Sequence, residues 1–516
     1  MITDGRFPRF PAPGSPEEQV AFETLQQKLP GMYHRIVQND RDEQTVLVVP
    51  SLSLDPRELS KVSGAHHYEE RLLYMLMLLR RPRTRLVFVT SQAISPTVID
   101  YYLNHLSGVP SGHARRRLQL FDCADASATP LSAKILARPR LMRRLRAAIG
   151  DPDRAHIDVF NSTGLERTLA VRLGIPLYAN NPALVDLGTK SGCREIFREA
   201  GVSFPHGFER LTGEDDIVDA LTELWGRNND VRRAVVKLND GFSGEGNALF
   251  YYDKVDASFA HDARKQIRAS LPALRFVAPQ EHWDSFLQKY EEMHGIVEEF
   301  VEGEDKRSPS SQCRVTALGQ PLSISTHDQM LNGQIFLGCT FPADPVYRME
   351  IQEAGMRVAK VLADRGVMGR FATDFVSVPD GEGGYTHHAI EVNLRKGGTT
   401  HPFSTLRFIT DGEYQADTGE FVTPGGRSKY YFASDTLQSK RYQGLMPEDL
   451  IDIAVYHDLH FHPATERGTV FHLMGALSEF GKLGMVCIGD NLQQAQFLYR
   501  KAKSVLNQEV AEHGDT

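Results

Sequence analysis

Along the first third of the chain, short β-rich apolar runs alternate with helical patterns. TVLVVPSL at 45–52, RLVFVTS at 85–91, LQLFDC at 118–123 and HIDVFNST at 156–163 are the runs. Strands that alternate with helices predict a mostly parallel α/β sheet. Between the third and fourth runs, ARPRLMRRLRAAI places Leu141, Leu145 and Ile149 at helical spacing, which predicts an amphipathic helix with a solvated basic face. No GxGxxG closes any of these strands, so the unit is Rossmann-like without being a dinucleotide site, and is expected to serve as scaffold and as one wall of a cleft.

From about 186 the texture changes. DLGTKSGCREIFREAGVSFPHGFERL reads as a helix holding Lys190 that stops at Gly201 and leads into a strand region near Pro205. A second α+β region follows, with a helical stretch near 257–294 before GIVEEFVEGED. Beyond Met368, GRFATDFVSV and YTHHAIEVN are two strand-like runs joined by a Gly-rich turn at 380–384. The last hundred residues, from about 412, read as a separate α/β region. No internal repeat and no low-complexity segment is present.

Composition narrows the class without changing this outline. A chain of 516 residues is too long for one core and predicts about three domains. With 41 % hydrophobic and 24 % charged residues it reads as an ordinary soluble globular protein. A net charge of -8, with no strongly basic domain, argues against a nucleic-acid surface. The opening residues lack an apolar core of signal-peptide length, and LLYMLMLL at 72–79 is too short to span a bilayer, so no membrane partner and a cytoplasmic location are expected. Cys123, Cys193, Cys313, Cys339 and Cys487 are widely spaced without a CxxC, which predicts reduced, buried thiols.

Candidate chemistry begins at AVVKLNDGFSGEGNALF, residues 234–250, where two apolar runs flank a loop with Gly241, Gly244 and Gly246. Glycines reach backbone angles closed to other residues, so successive N–H groups can converge on an anion, with Lys237 reaching a phosphate beneath; a plain hairpin with a solvated lysine is the alternative. In HHAIEVNLRKGGTTHP, Glu391 and Asn393 stand two apart on a strand and share a face, and Asp374 can come alongside from the neighbouring strand. Hard oxygen ligands of this kind suit Mg²⁺. Arg395, two further on, falls on the same side if the strand continues, where it would stabilise developing negative charge. In GIVEEFVEGED, Glu298 and the backbone of Glu299, Phe300 and Val301 could hold an adenine edge, with Glu304 or Asp305 on ribose hydroxyls. Read alone, that stretch is a charged strand end. His457, His460, His462 and His472 invite a zinc reading, but structural or substrate-facing histidines fit them better. Neither GxxxxGK[ST] nor GxSxG occurs, which disfavours P-loop and α/β-hydrolase chemistry.

The order of these pieces resembles the ATP-grasp superfamily: a helix lysine, a strand lysine before a glycine loop, a VEEFVEG hinge and an Asp with Glu-x-Asn. Over roughly 120–500, LGTKSGCREIFREAGV, VVKLNDGFSGEGN, EVNLRKGGTTHPF and TVFHLMGALSEFGKLGMVCIGD further resemble pheganomycin-type peptide ligases. The resemblance implies a Rossmann-like pre-ATP-grasp domain over 1–185, two ATP-grasp subdomains over about 186–296 and 297–411, and a small C-terminal domain over 412–516. It makes Lys190 and Lys237 phosphate ligands, with Lys237 also catalytic. It further makes Gly241 to Gly246, with Ser243 and Gly244, the loop over the phosphates. Glu298 becomes the adenine contact, Asp374, Glu391 and Asn393 the Mg²⁺ ligands and Arg395 the catalytic charge stabiliser.

The implied activity is an ATP-dependent ligase that activates a carboxylate as an acylphosphate and joins it to an amine of an amino acid or peptide, releasing ADP and phosphate. A carrier-protein thiol as acceptor, or a non-catalytic nucleotide-binding protein of the same fold, remain alternatives. The implied cofactors are ATP and Mg²⁺, the implied partners small-molecule substrates, and a homodimer is a family expectation.

Overall fold

The four N-terminal runs form strands β1 (Gln44–Val49), β2 (Thr84–Thr90), β3 (Leu118–Asp122) and β4 (Ala155–Val159), all parallel and ordered β3-β2-β1-β4. The structure is a computed structural model describing residues 10–227, 231–241, 246–255, 259–333 and 335–512. Side chains alternate across each strand. Val46, Val48, Leu86 and Phe88 therefore enter one core while Leu47, Val49, Val87 and Val89 enter another, so both faces of the parallel sheet are covered. The helix Pro139–Ile149 lays Leu141, Met142, Leu145 and Ile149 on the second core and leaves Arg140, Arg143 and Arg144 in water.

The second sheet is antiparallel. It comprises β5 (Gly207–Leu211), β6 (Arg233–Leu238), β7 (Asn247–Tyr251), β8 (Arg275–Phe276) and β9 (Gly295–Glu299), ordered β5-β9-β6-β7-β8. Ala234, Val236, Leu238 and Val297 pack against Ile217, Leu221 and Leu224 of the helix Glu214–Arg227 and against Phe286 and Tyr290 of the helix Trp283–Met293. The opposite face, carrying Val235, Lys237, Ile296 and Glu298, is left for the cleft.

A third sheet begins with β10 (Pro309–Val315), β11 (Pro321–Asn332), β12 (Ile335–Phe341), β13 (Gly369–Pro379) and β14 (Tyr385–Asn393). The helix Arg348–Asp364 covers one face through Ile351, Val358 and Leu362, which meet Val315, Phe371 and Phe375. That leaves Ser310, Gln312, Arg314, Arg370, Asp374, Glu391 and Asn393 facing the cleft.

The residues beyond 412 add their strands to a sheet that is already begun. After a small hairpin, β15 (Glu413–Gln415) with β16 (Glu420–Val422), strands β17 (Tyr430–Gln438), β18 (Gly468–His472) and β19 (Lys482–Gly489) continue the third sheet, giving the order β14-β13-β10-β11-β12-β17-β19-β18. Cys339 pairs with Ala433 and Phe341 with Tyr431 across the seam. Their apolar side chains share a core with β1 and β2: Tyr431, Val470, Met485 and Val486 join Val46 and Phe88 in one cluster with Phe403 and Leu406 of the helix Thr400–Thr410. No helix among the described residues is long and apolar enough to cross a membrane.

Candidate active site

Strand parity places Lys237 and Glu298 on the same face of neighbouring strands, since Lys237 registers with Ile296 and Val235 with Glu298. Their side chains meet at 2.5 Å, both buried. The other oxygen of Glu298 accepts from Arg194 Nη1 at 2.9 Å, and Arg194 also donates to the Pro205 carbonyl and to Glu209. Glu298, expected at an adenine edge, is thus bracketed by two cations. Arg194 was missed in the sequence, although it stands four residues after Lys190, on the same face of one helix.

Lys190 is the first residue of the helix Lys190–Glu199, capped by Thr189, whose hydroxyl accepts from Gly192 N. Asn239, two residues beyond Lys237, accepts at Oδ1 from Ser191 N at 3.0 Å and from Ser191 Oγ at 2.7 Å, and its carbonyl accepts from Lys190 N. One asparagine therefore ties the start of the lysine helix to the end of the lysine strand. The Lys190 ammonium reaches across to Glu391 on the third sheet. Burial opposes that charge but the Glu391 carboxylate outweighs it, and the ammonium is held above the ordinary lysine range.

The flanks of the glycine loop do pair as a hairpin, Lys237 with Asn247, and Leu238 N donates to the Gly246 carbonyl at 2.9 Å. At Gly241 and Gly246 the reason for glycine differs from the one expected. Neither has a left-handed φ; a Cβ on Gly241 would lie 3.3 Å from Gly246 Cα, and one on Gly246 3.2 Å from Leu238 Cβ, so close packing is the requirement. Ser243 and Gly244 lie outside the described residues.

Past β9 the chain is pinned. Glu299 N donates to the His206 carbonyl, Phe300 N to that of Arg233, and the Phe300 ring is met by the Arg233 guanidinium at 4.0 Å and by the Lys306 ammonium at 4.1 Å. Val301 N keeps no partner among the described residues, and the Val301 carbonyl accepts from Lys306 Nζ at 2.8 Å. Glu304 and Asp305 are exposed in the turn that follows.

On the third sheet Asp374 registers directly with Glu391, and a bulge follows Asp374. Gln329 Nε2 donates to Asp374 Oδ1 at 2.8 Å and Asn393 Nδ2 to Oδ2 at 2.9 Å. Burial, and then the like charge of Glu391, push the Asp374 carboxyl up to about 6. Burial pushes Glu391 the same way, but Lys190 overrides it and holds that carboxyl below its ordinary value. The strand ends at Asn393, so Arg395 is presented by a turn in which its N donates to the Asn393 carbonyl at 2.8 Å. Its guanidinium is lowered by burial yet lies within the fields of Glu391 and Asp374. Lys396, also missed, pairs at 2.6 Å with Asp158 at the end of β4.

The C-terminal histidines do not gather. His457 pairs with Glu509, the rings of His460 and His462 are 6.4 Å apart, and His472 instead packs at 4.1 Å on His401. Among the described residues no group of three His, Cys, Asp or Glu side chains is placed to hold a metal ion.

Two α+β lobes that close such lysines and carboxylates between two antiparallel sheets define an ATP-grasp fold. Residues 182–275 and 275–417 match the family described as "IQCH-like, ATP-grasp", and 449–502 match "PGM1 C-terminal domain". The L-propargylglycine--L-glutamate ligase of Streptantibioticus cattleyicolor is 31 % identical over 469 residues, covering 90 % of this chain and 94 % of that protein. On that likeness the chain belongs to the ATP-grasp superfamily, in the family of that ligase. IQ motif-containing protein H of Danio rerio is 22 % identical over 522 residues, which are 91 % of this chain and 49 % of that protein, so the chain spans about half of this second relative. The biotin carboxylase of Campylobacter jejuni has the same fold, with a TM-score of 0.53 at 12 % identity over 91 % of this chain and 96 % of that one.

Proposed function

We propose that this chain is an ATP-dependent carboxylate–amine ligase that activates its acid as an acylphosphate, transfers the acyl group to an amine and releases ADP and phosphate. The observation that carries the reading is the ion pair Lys190–Glu391, which joins a helix of the first lobe to the in-register carboxylate pair of the second. Lys237 is neutralised by Glu298 and Lys190 by Glu391. Nucleotide phosphates would take over both ammonium groups, and charge-assisted contacts of this kind are the strong ones.

Asp374 and Glu391, with Asn393 beside them, fit Mg²⁺: two half-buried carboxylates in register, Asp374 raised by burial and then by Glu391, are hard oxygen donors. The ion would neutralise phosphate oxygens there. Arg395 then stands where negative charge develops on the reacting carbonyl. A covalent thiol intermediate has no support, since burial pushes Cys193, Cys313 and Cys487 up to about 12 and Cys123 up to about 11. The name of the Streptantibioticus relative couples two amino acids. Amino acids or short peptides are accordingly the substrates we propose for both halves of the reaction.

The test is product analysis with a panel of amino acids. We expect ADP and phosphate in equal amounts and, with hydroxylamine as acceptor, an ATP-dependent hydroxamate whose yield falls in Arg395→Ala. AMP as the stoichiometric product would overturn the mechanism.

A further inference from the structure

The cleft floor does not end at Arg395. Arg314 on β10 registers with Arg370 on β13, and Arg370 shares its strand face with Asp374 four residues on, roughly 13 Å away at about 3.3 Å per residue. Arg407, from the helix Thr400–Thr410, lies within the field of both arginines. Three guanidiniums thus gather where the third sheet meets the N-terminal domain.

Among the described residues none of the three forms an ion pair. The carboxylates in range are engaged or remote: Asp158 is held by Lys396 and Asp411 by Arg80, while Glu413 acts on Arg407 only through its field. Arg314 Nη2 donates weakly to Tyr33 Oη at 3.4 Å, and its Nε has no partner among the described residues. Burial lowers the Arg370 guanidinium to about 10, the mark of a cation short of a counter-charge.

A small cavity opens beside Arg370, lined also by Arg395, Lys396, Asn161, Tyr178 and Asn180. Asn180 is 9 % exposed, and among the described residues neither its Oδ1 nor Tyr178 Oη has a partner. Buried polar groups of a folded protein are nearly always satisfied, and buried charges are paired. A cavity with an unmatched guanidinium, an unmatched amide oxygen and an unmatched phenol is therefore completed by a ligand that brings a planar anion. Carboxylate matches the guanidinium fork. The ATP-facing lysines lie at the other end of the floor and are neutralised already, so nucleotide phosphate is not the anion this cavity lacks.

We propose that Arg370, supported by Arg314 and Arg407, binds a substrate carboxylate that is not the one being activated. The inference rests on the ligase reading for its location beside the reacting centre. Two sources share this chemistry, the second carboxylate of a dicarboxylic acid substrate and the α-carboxylate of an amino-acid acceptor.

Two arms of one kinetic experiment separate them. With hydroxylamine as acceptor only the acid is varied, and with a fixed acid only the amino-acid acceptor is varied. In one of the two arms Arg370→Ala should raise KM about 30-fold or more, the loss of a charge-assisted pair, with a smaller change in kcat. Replacing that carboxylate by its amide should cost the wild type a similar factor, and the two losses should not add. Arg370→Lys should recover part of the KM. An unchanged KM in both arms would overturn the proposal. Thermal unfolding without ATP provides a second readout: L-glutamate should stabilise the wild type more than its diamide does, and this difference should vanish in Arg370→Ala. Equal stabilisation of the wild type by both compounds would overturn the anion site even if no acid supports ADP release, whereas failure of ADP release alone overturns only the ligase reading.

Discussion

Asp374 and Glu391 are partners in register whose environments drive them apart: burial and the like charge lift Asp374 to about 6, while Lys190 holds Glu391 down. A carboxyl raised in the fold binds its proton there at a pH where the unfolded chain has already lost it. Its contribution therefore favours folding below about pH 4 and is lost as pH rises through about 6. Mg²⁺ requires the ionised form, so added Mg²⁺ should raise the unfolding temperature clearly at pH 7.5 and little at pH 5, and Asp374→Asn should remove the pH dependence of that shift. A shift equal at the two pH values would rule out this carboxylate as the metal ligand. At this scale the sequence was legible for the lysines and the Glu-x-Asn pair, because their spacing to the glycine loop and to each other is local. Asn239, Gln329 and Lys396 were not, since each acts on a residue in another element and nothing in its own neighbourhood marks it, and Arg194 was marked only by its place one turn after Lys190.

The element scale shows a different mixture. Strands on both sides of the turn at 380–384 and the lysine helix appear almost where periodicity placed them, because one face of each is apolar at a regular interval. The seam between β12 and β17 carried no such sign. There Gly338 has φ +159°, and a Cβ would lie 2.2 Å from the Ala433 carbonyl oxygen. Gly338→Ala should push the two strands apart and cost roughly 1–3 kcal/mol, as overpacked sites do, read as a lower unfolding temperature with the nucleotide site otherwise intact. An unfolding temperature equal to that of the wild type would show that the strands do not meet there. Glycine at 241 and 246 illustrates the same point in reverse: close packing against each other and against Leu238 explains it.

Across the whole molecule, the N-terminal sheet is joined to the end of β14 by Lys396 and Asp158, whose side chains are 9 % and 10 % exposed and 2.6 Å apart. Lys396 Nζ donates in addition to the Val159 carbonyl. Removing one member of a buried pair strands the other, at a cost of roughly 3–5 kcal/mol, whereas replacing both by apolar residues is often far cheaper. Lys396→Ala should thus lower the unfolding temperature strongly, Asp158→Asn similarly, and Lys396→Met with Asp158→Leu should recover much of the loss. Additive losses in a double-mutant cycle would show that the two domains are not coupled through this pair.

By itself the sequence determined the strand and helix periods, the parallel character of the first sheet, the reduced and buried cysteines and the lysines and carboxylates that face the cleft. Each of these follows from side-chain chemistry at short range along the chain. Only the tertiary structure decided that the last strands extend the third sheet, that Lys190 crosses to Glu391, that Glu298 lies between Lys237 and Arg194, and that Arg314, Arg370 and Arg407 converge without carboxylate partners among the described residues. The reason is physical: pairing of strands and of charges far apart in sequence is selected by which apolar faces must be buried together, and that choice is made by the core shared between the N-terminal sheet and the C-terminal strands.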